Sequence, residues 1–111
     1  SEEVLGVYYN SDYVGLVYHD STGEHIYRLD VYDSAGKLLC NQHIDFDYTD
    51  IIFDRDNVIV YGGSECLIST TRGKEKFNGS FDSNINLLIP NGSAYRFLLL
   101  TGDSMDIVEL N

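Results

Sequence analysis

The sequence predicts an all-β fold of antiparallel, four-stranded units, about 2.75 of them in 111 residues. Three observations predict it. Apolar residues come in short runs separated by Gly, Asn, Asp and Ser, the pattern of strands joined by tight turns. No long helical period appears. The chain also matches itself when shifted by about 40 residues, the period of a four-stranded repeat.

Taken in order, the runs are Val4–Tyr9, Tyr13–Tyr18, His25–Tyr32, Lys37–Ile44, Ile51–Phe53, Val58–Tyr61, Glu65–Thr70, Lys74–Phe81, Ile85–Ile89, Tyr95–Leu100 and Met105–Leu110. Each is near the usual strand length. The turns between them carry their own signals. Asp33-Ser34-Ala35-Gly36-Lys37 and Thr70-Thr71-Arg72-Gly73-Lys74 both place Gly late in a short loop, where a hairpin needs positive φ. Asp20-Ser21-Thr22-Gly23-Glu24 reads as another hairpin tip, and Asn91-Gly92, after the single Pro90, as a two-residue turn.

A shift of 37 lays Leu29 on Cys66, Val31 on Ile68, Gly36-Lys37 on Gly73-Lys74, Ile44-Asp45 on Phe81-Asp82 and Ile51-Ile52 on Leu88-Ile89. A shift of 39 lays Val58–Tyr61 on Phe97–Leu100, and Cys66 and Ile68 on Met105 and Ile107. A shift of 43 lays Tyr8-Tyr9 on Ile51-Ile52 and Val17-Tyr18 on Val60-Tyr61, which implies a six-residue insertion near Ser21–His25. The repeats are then about 4–46, 47–83 and 84–111, the last without its fourth strand. The second strand of each unit reads as apolar on both faces, the third as alternating. Four strands in about 40 residues is the signature of a propeller blade. Fewer than three blades do not close a ring, so open edges predict self-association. The same strands folded into a compact β-sandwich are the alternative architecture.

Val31-Tyr32-Asp33-Ser34-Ala35-Gly36-Lys37-Leu38 resembles the strand and D-x-x-G-K turn of WD40-like and quinoprotein-like propellers. With Phe46-Asp47-Tyr48-Thr49-Asp50-Ile51 and Gly73-Lys74-Glu75-Lys76-Phe77, most of the chain resembles a family of bacterial propeller-like domains of unknown function. The resemblance implies an extracellular or cell-surface location, with a membrane helix ahead of the propeller. Its motifs are structural and carry no catalytic residue.

The length allows one domain, 1–111, and a modest core. Opening at Ser1 without Met, with a strand almost at once, the chain reads as a piece of a longer or a processed protein. No run of 18 apolar residues is present, so membrane insertion by this segment is not expected. A net charge of -11 disfavours nucleic acid and anionic lipid as partners. Cys40 and Cys66 have no metal-site spacing and fall on core registers, so buried free thiols are expected.

Asp45, Asp47, Asp50, Asp54 and Asp56 supply the carboxylates that Ca²⁺ takes, but without EF-hand spacing or its pivot Gly. Alternation along a strand would put Asp45 and Asp47 on one face. A solvated connection rich in turn-forming Asp accounts for the same stretch. His19 and His25 flank one hairpin and can approach across it; with His43 they are the candidate bases or ligands. Asn78-Gly79-Ser80 and Asn91-Gly92-Ser93 fit the glycosylation pattern, and Gly79 within a strand predicts a bulge. Tyr8, Tyr9, Tyr13, Tyr32 and Tyr48 are interaction candidates, because Tyr is enriched at interfaces and stacks on sugars. The pattern predicts a non-catalytic binding or scaffold module with protein or polysaccharide partners and no cofactor. The alternative is a fragment of a propeller hydrolase, lyase or quinone-dependent enzyme whose active residues lie in further blades.

Overall fold

The computed structural model describes residues 2–90, 96–102 and 104–109. Eleven strands and no helix occur among them: β1 (Gly6–Tyr9), β2 (Tyr13–His19), β3 (Tyr27–Asp33), β4 (Leu38–Ile44), β5 (Asp50–Asp54), β6 (Asn57–Gly62), β7 (Glu65–Thr70), β8 (Glu75–Ser80), β9 (Ile85–Pro90), β10 (Arg96–Thr101) and β11 (Met105–Glu109). They form three antiparallel sheets in chain order, β1-β2-β3-β4, β5-β6-β7-β8 and β9-β10-β11. No sheet closes into a barrel among the described residues. The predicted division into four, four and three strands is therefore observed. The predicted turn and glycosylation pattern at Asn91 lies outside the described residues.

The sheets stack face to face. The first and second enclose one core, in which Val17, Leu29, Val31 and Ile44 meet Ile51, Phe53, Val58 and Val60. The second and third enclose another, in which Ile59, Tyr61, Cys66 and Ile68 meet Ile85, Leu88, Phe97 and Leu99. The middle sheet is thus covered on both sides, and β6 is buried along its whole length. Burying each large apolar side chain there stabilises the fold by about 1.5–3 kcal/mol. This is why the second strand of that unit is apolar on both faces. In the first sheet β2 alternates instead, because its outer side has no covering sheet. In the doubly covered middle sheet β7 is likewise buried on both faces, where simple alternation was predicted.

The shared turn is reproduced bond for bond. The Asp33 N–H donates to the Lys37 carbonyl and the Gly36 N–H to the Asp33 carbonyl; Thr70, Lys74 and Gly73 repeat both bonds. Gly36 and Gly73 have φ of 85° and 94°, as the late Gly predicts. Asp33 Oδ1 and Thr70 Oγ1 each accept from the N–H of the following lysine. A register shift follows in each pair, at Val31/Tyr32 and Ile68/Ser69. That places the irregularity of β8 opposite Ser69 and not at Gly79, which pairs in register with Cys66.

Strand pairing corrects one offset. Val17 pairs with Leu29 and Gly15 with Val31; the matching pairs in the middle sheet are Tyr61 with Cys66 and Ile59 with Ile68. The shift for the first two strands is therefore 44, not 43. Side chains alternate faces, so a slip of one residue exchanges the whole inner set for the outer one. The insertion is accordingly seven residues, 20–26, and β3 begins at Tyr27 rather than His25. Asp20 organises this loop, accepting from the His25 N–H and the Thr22 hydroxyl while its own N–H donates to the Ile26 carbonyl.

Candidate interaction surface

The outer face of the first sheet follows from these registers. Leu29 and Val31 point into the core, so Arg28, Asp30 and Tyr32 point away from it. Pairing sets Val7, Leu16, Asp30 and Asn41 in one row, Tyr9, Val14 and Tyr32 in the next, and Tyr18, Arg28 and His43 in a third. Tyr9 is 75% exposed and Val7 55%. The face is therefore half apolar and aromatic, along β1 and β2, and half polar, along β3 and β4.

Its polar half is a closed network. The Arg28 guanidinium donates to both Glu2 carboxylate oxygens at 2.9 Å and to Asp30 at 3.0 and 3.3 Å, and lies 4.5 Å over the Tyr18 ring. Asn41 Nδ2 donates to Asp30 at 2.9 Å. These bonds satisfy a carboxylate that is only 6% exposed and would otherwise be costly to bury. Glu2 first, then Asp30, push the Arg28 pKa further up, and Arg28 in turn holds the Glu2 carboxyl below the usual carboxylate range. Sequence reasoning missed this network. Its one available signal was Asp30, which falls where the middle sheet has Leu67.

The third sheet has an open face as well. Phe97 and Leu99 point into the core, so Leu98 and Leu100 point out, with Ile107, Met105 and Ile89 beside them in register. Met105 is 62% exposed and Ile107 54%. By the shifts of 39 and 37 these positions match Ile59, Tyr61, Ile68, Cys66 and Ile52, the side chains with which the middle sheet holds the third.

The five candidate tyrosines are divided between two environments. Tyr8, Tyr13 and Tyr48 pack against the core between the first and second sheets. The Tyr48 ring meets Tyr8 edge-on at 6.0 Å and Tyr27 at 5.2 Å, and burial pushes its hydroxyl pKa up. Tyr13 stacks on Phe53 at 5.9 Å, over a β2 that carries Gly15 where any Cβ would press on that ring. Its hydroxyl donates to Asp56, which raises its pKa. Of these five, Tyr9 and Tyr32 reach the outer face, which Tyr18 shares.

The acidic stretch is dispersed. Asp45 contacts His25, Asp47 accepts from the Tyr27 hydroxyl at 3.4 Å, Asp50 caps the Ile51 N–H at 2.8 Å, Asp54 lies 3.6 Å from Arg55, and Asp56 holds Tyr13. Asp45 and Asp47 stand in the connection between β4 and β5, outside any strand. Among the described residues no group of three or more His, Cys, Asp and Glu side chains is arranged to hold a metal ion. Cys40 and Cys66 are free thiols. Burial pushes the Cys66 thiol up to about 12, as a core register implies. Cys40 is only half-buried, its Sγ donating to the Thr71 carbonyl at 3.2 Å.

The histidines pair differently from the hairpin expectation. His19 stacks on Tyr27 at 5.7 Å, while His25 stacks on His43 at 4.0 Å with planes 9° apart. The seven-residue loop lifts His25 past the hairpin and onto β4. Asp45 lies 2.9 Å from His25 Nδ1, and Asp20 4.0 Å from His43 Nε2. The Asp45 hydrogen bond, above all, raises the His25 pKa from its ordinary 6.5. A raised folded pKa gives stability that is present below about pH 6.5 and is lost as pH rises through the folded value. Asp45→Asn is therefore expected to lower Tm between about pH 5 and 6.5, with the difference closing towards pH 8. Thermal melts of both proteins across that range check it; an equal deficit at every pH would refute the ion pair.

No curated protein matches the chain. Residues 1–110 match the Family of unknown function (DUF5711), and the chain belongs to that family.

Proposed function

We propose that the chain is a non-catalytic binding or scaffold module made of propeller-like blades. One observation carries the reading: the same inter-sheet packing step occurs twice in succession, through equivalent registers, and leaves an apolar, aromatic face open at the first sheet. The three stacked sheets also fit the compact β-sandwich of the same strands; the repeated step favours the array of blades. The first strand β1 approaches β5 in the first interface, and β9 approaches β6 in the second. Partners are protein or, through Tyr9 and Tyr32, polysaccharide, since tyrosine supplies apolar area and a polar tip together. The charge of -11 argues against nucleic acid. The resemblance to bacterial propeller-like domains supports a cell-surface location.

A photo-reactive phenylalanine at position 9 tests the reading in cells. It is expected to form a defined adduct, and the same group at Lys37, on the exposed turn, to form none. Equal labelling from both positions, or none from Tyr9, would overturn it.

A further inference from the structure

We propose that the open face of the third sheet docks the open face of the first sheet of a second copy, head to tail. The proposal rests on the reading of the chain as an interaction module. The middle sheet grips the third through Ile52, Ile59, Tyr61, Cys66 and Ile68. The third sheet carries Ile89, Leu98, Leu100, Met105 and Ile107 at the same positions, facing outward. It thus repeats the gripping surface one step further along the stack.

The outer face of the first sheet supplies the complementary surface. The third sheet enters the middle one with the cross-strand pairs Phe97–Val108 and Leu99–Asp106. At the equivalent positions the first sheet shows Val14–Tyr32 and Leu16–Asp30 outward. The counterpart of Asp30 in the third sheet, Asp106, is exposed and stands outside the core between the second and third sheets. Asp30 accepts from Arg28 and Asn41, so its carboxylate is satisfied within the first sheet and does not bar the same packing step. Joining the two ends continues an interface that the chain already makes twice. Two copies align six sheets, within the four to eight from which closed rings are built. A contact of this heterologous kind closes a ring or extends as a filament.

Multi-angle light scattering on the full chain, in salt that screens the charge of -11 on each copy, tests the proposal. The wild type is expected at twice 12.5 kDa or a higher multiple. Val7→Lys and Ile107→Lys change exposed positions on opposite ends, and each alone is expected at 12.5 kDa. Mixing the two variants should restore a species of twice 12.5 kDa, because each keeps the face that the other lacks. Tyr9→Asp and Met105→Lys provide a second pair should either variant lose its β-sheet circular dichroism. A wild type of 12.5 kDa at millimolar concentration, mixed variants that stay apart, or Val7→Lys associating by itself would each overturn the proposal. A heterologous adduct at Tyr9 with a monomeric wild type would sink only the second-copy docking and leave the binding module standing.

Discussion

Gly62→Ala is expected to destabilise the chain by about 3 kcal/mol, which lowers Tm by roughly 10–20 °C in a domain of this size. A Cβ at Gly62 would stand 2.1 Å from the Asp47 carbonyl oxygen, 2.6 Å from the Tyr48 Cα and 2.8 Å from the Thr49 nitrogen. All three are backbone atoms, so no side chain can swing aside. The 47–49 segment passes over the end of β6, pinned there by the Thr49 N–H donating to the Tyr61 carbonyl at 2.7 Å. It also carries Tyr48 into the cluster with Tyr8 and Tyr27, so displacing it disturbs the packing between two sheets. Gly63→Ala is the control. Gly63 has φ of 58° but nothing within 4 Å of an added Cβ, so only backbone strain of about 1–2 kcal/mol is expected. Thermal melts in which Gly63→Ala proved the more damaging of the two would contradict the crossing geometry.

Tyr61→Ala is expected to cost about 4 kcal/mol, the range for emptying a large aromatic site in a core. Tyr61 is buried between the second and third sheets and hydrogen-bonds the backbone of Leu88, so the substitution removes both ring and bond. Tyr61→Phe keeps the ring and is expected to cost about 1 kcal/mol. Tyr9→Ala, on the open face, is expected to stay within about 0.5 kcal/mol of the wild type. Urea midpoints for the three variants check the ordering. A Tyr61→Ala loss no larger than that of Tyr9→Ala would mean that the third sheet does not cover the second.

The strands were legible because they are local. Each pairs with its neighbour in sequence, and the Gly36-Lys37 and Gly73-Lys74 turns announce themselves by residue type. What escaped was fine register and whatever lies across sheets. The shift of 43 aligned like with like in composition, Tyr8-Tyr9 on Ile51-Ile52, yet only pairing shows that Tyr8 shares its role with Ile52. Tyr8, Tyr13 and Tyr48 looked like surface aromatics because nothing in a linear pattern shows which face another sheet will cover. Asp30 looked like any strand carboxylate, since its partner Asn41 lies 11 positions away, and its partner Arg28 is held in turn by Glu2, 26 positions back. The stack of His25 on His43 depends on the length of a loop, which a pattern of apolar runs does not weigh.

Every hydrogen-bonded neighbour in these sheets is also a neighbour in sequence, and no strand crosses from one sheet into another. A chain so organised can gain or lose a whole unit by duplicating or deleting one contiguous stretch of about 40 residues, with nothing to rethread. The turns at Asp33–Lys37 and Thr70–Lys74, which share Gly-Lys and the same backbone bonds, are the trace such a duplication would leave. The seven residues of 20–26 are extra length at a hairpin tip, where they disturb no pairing.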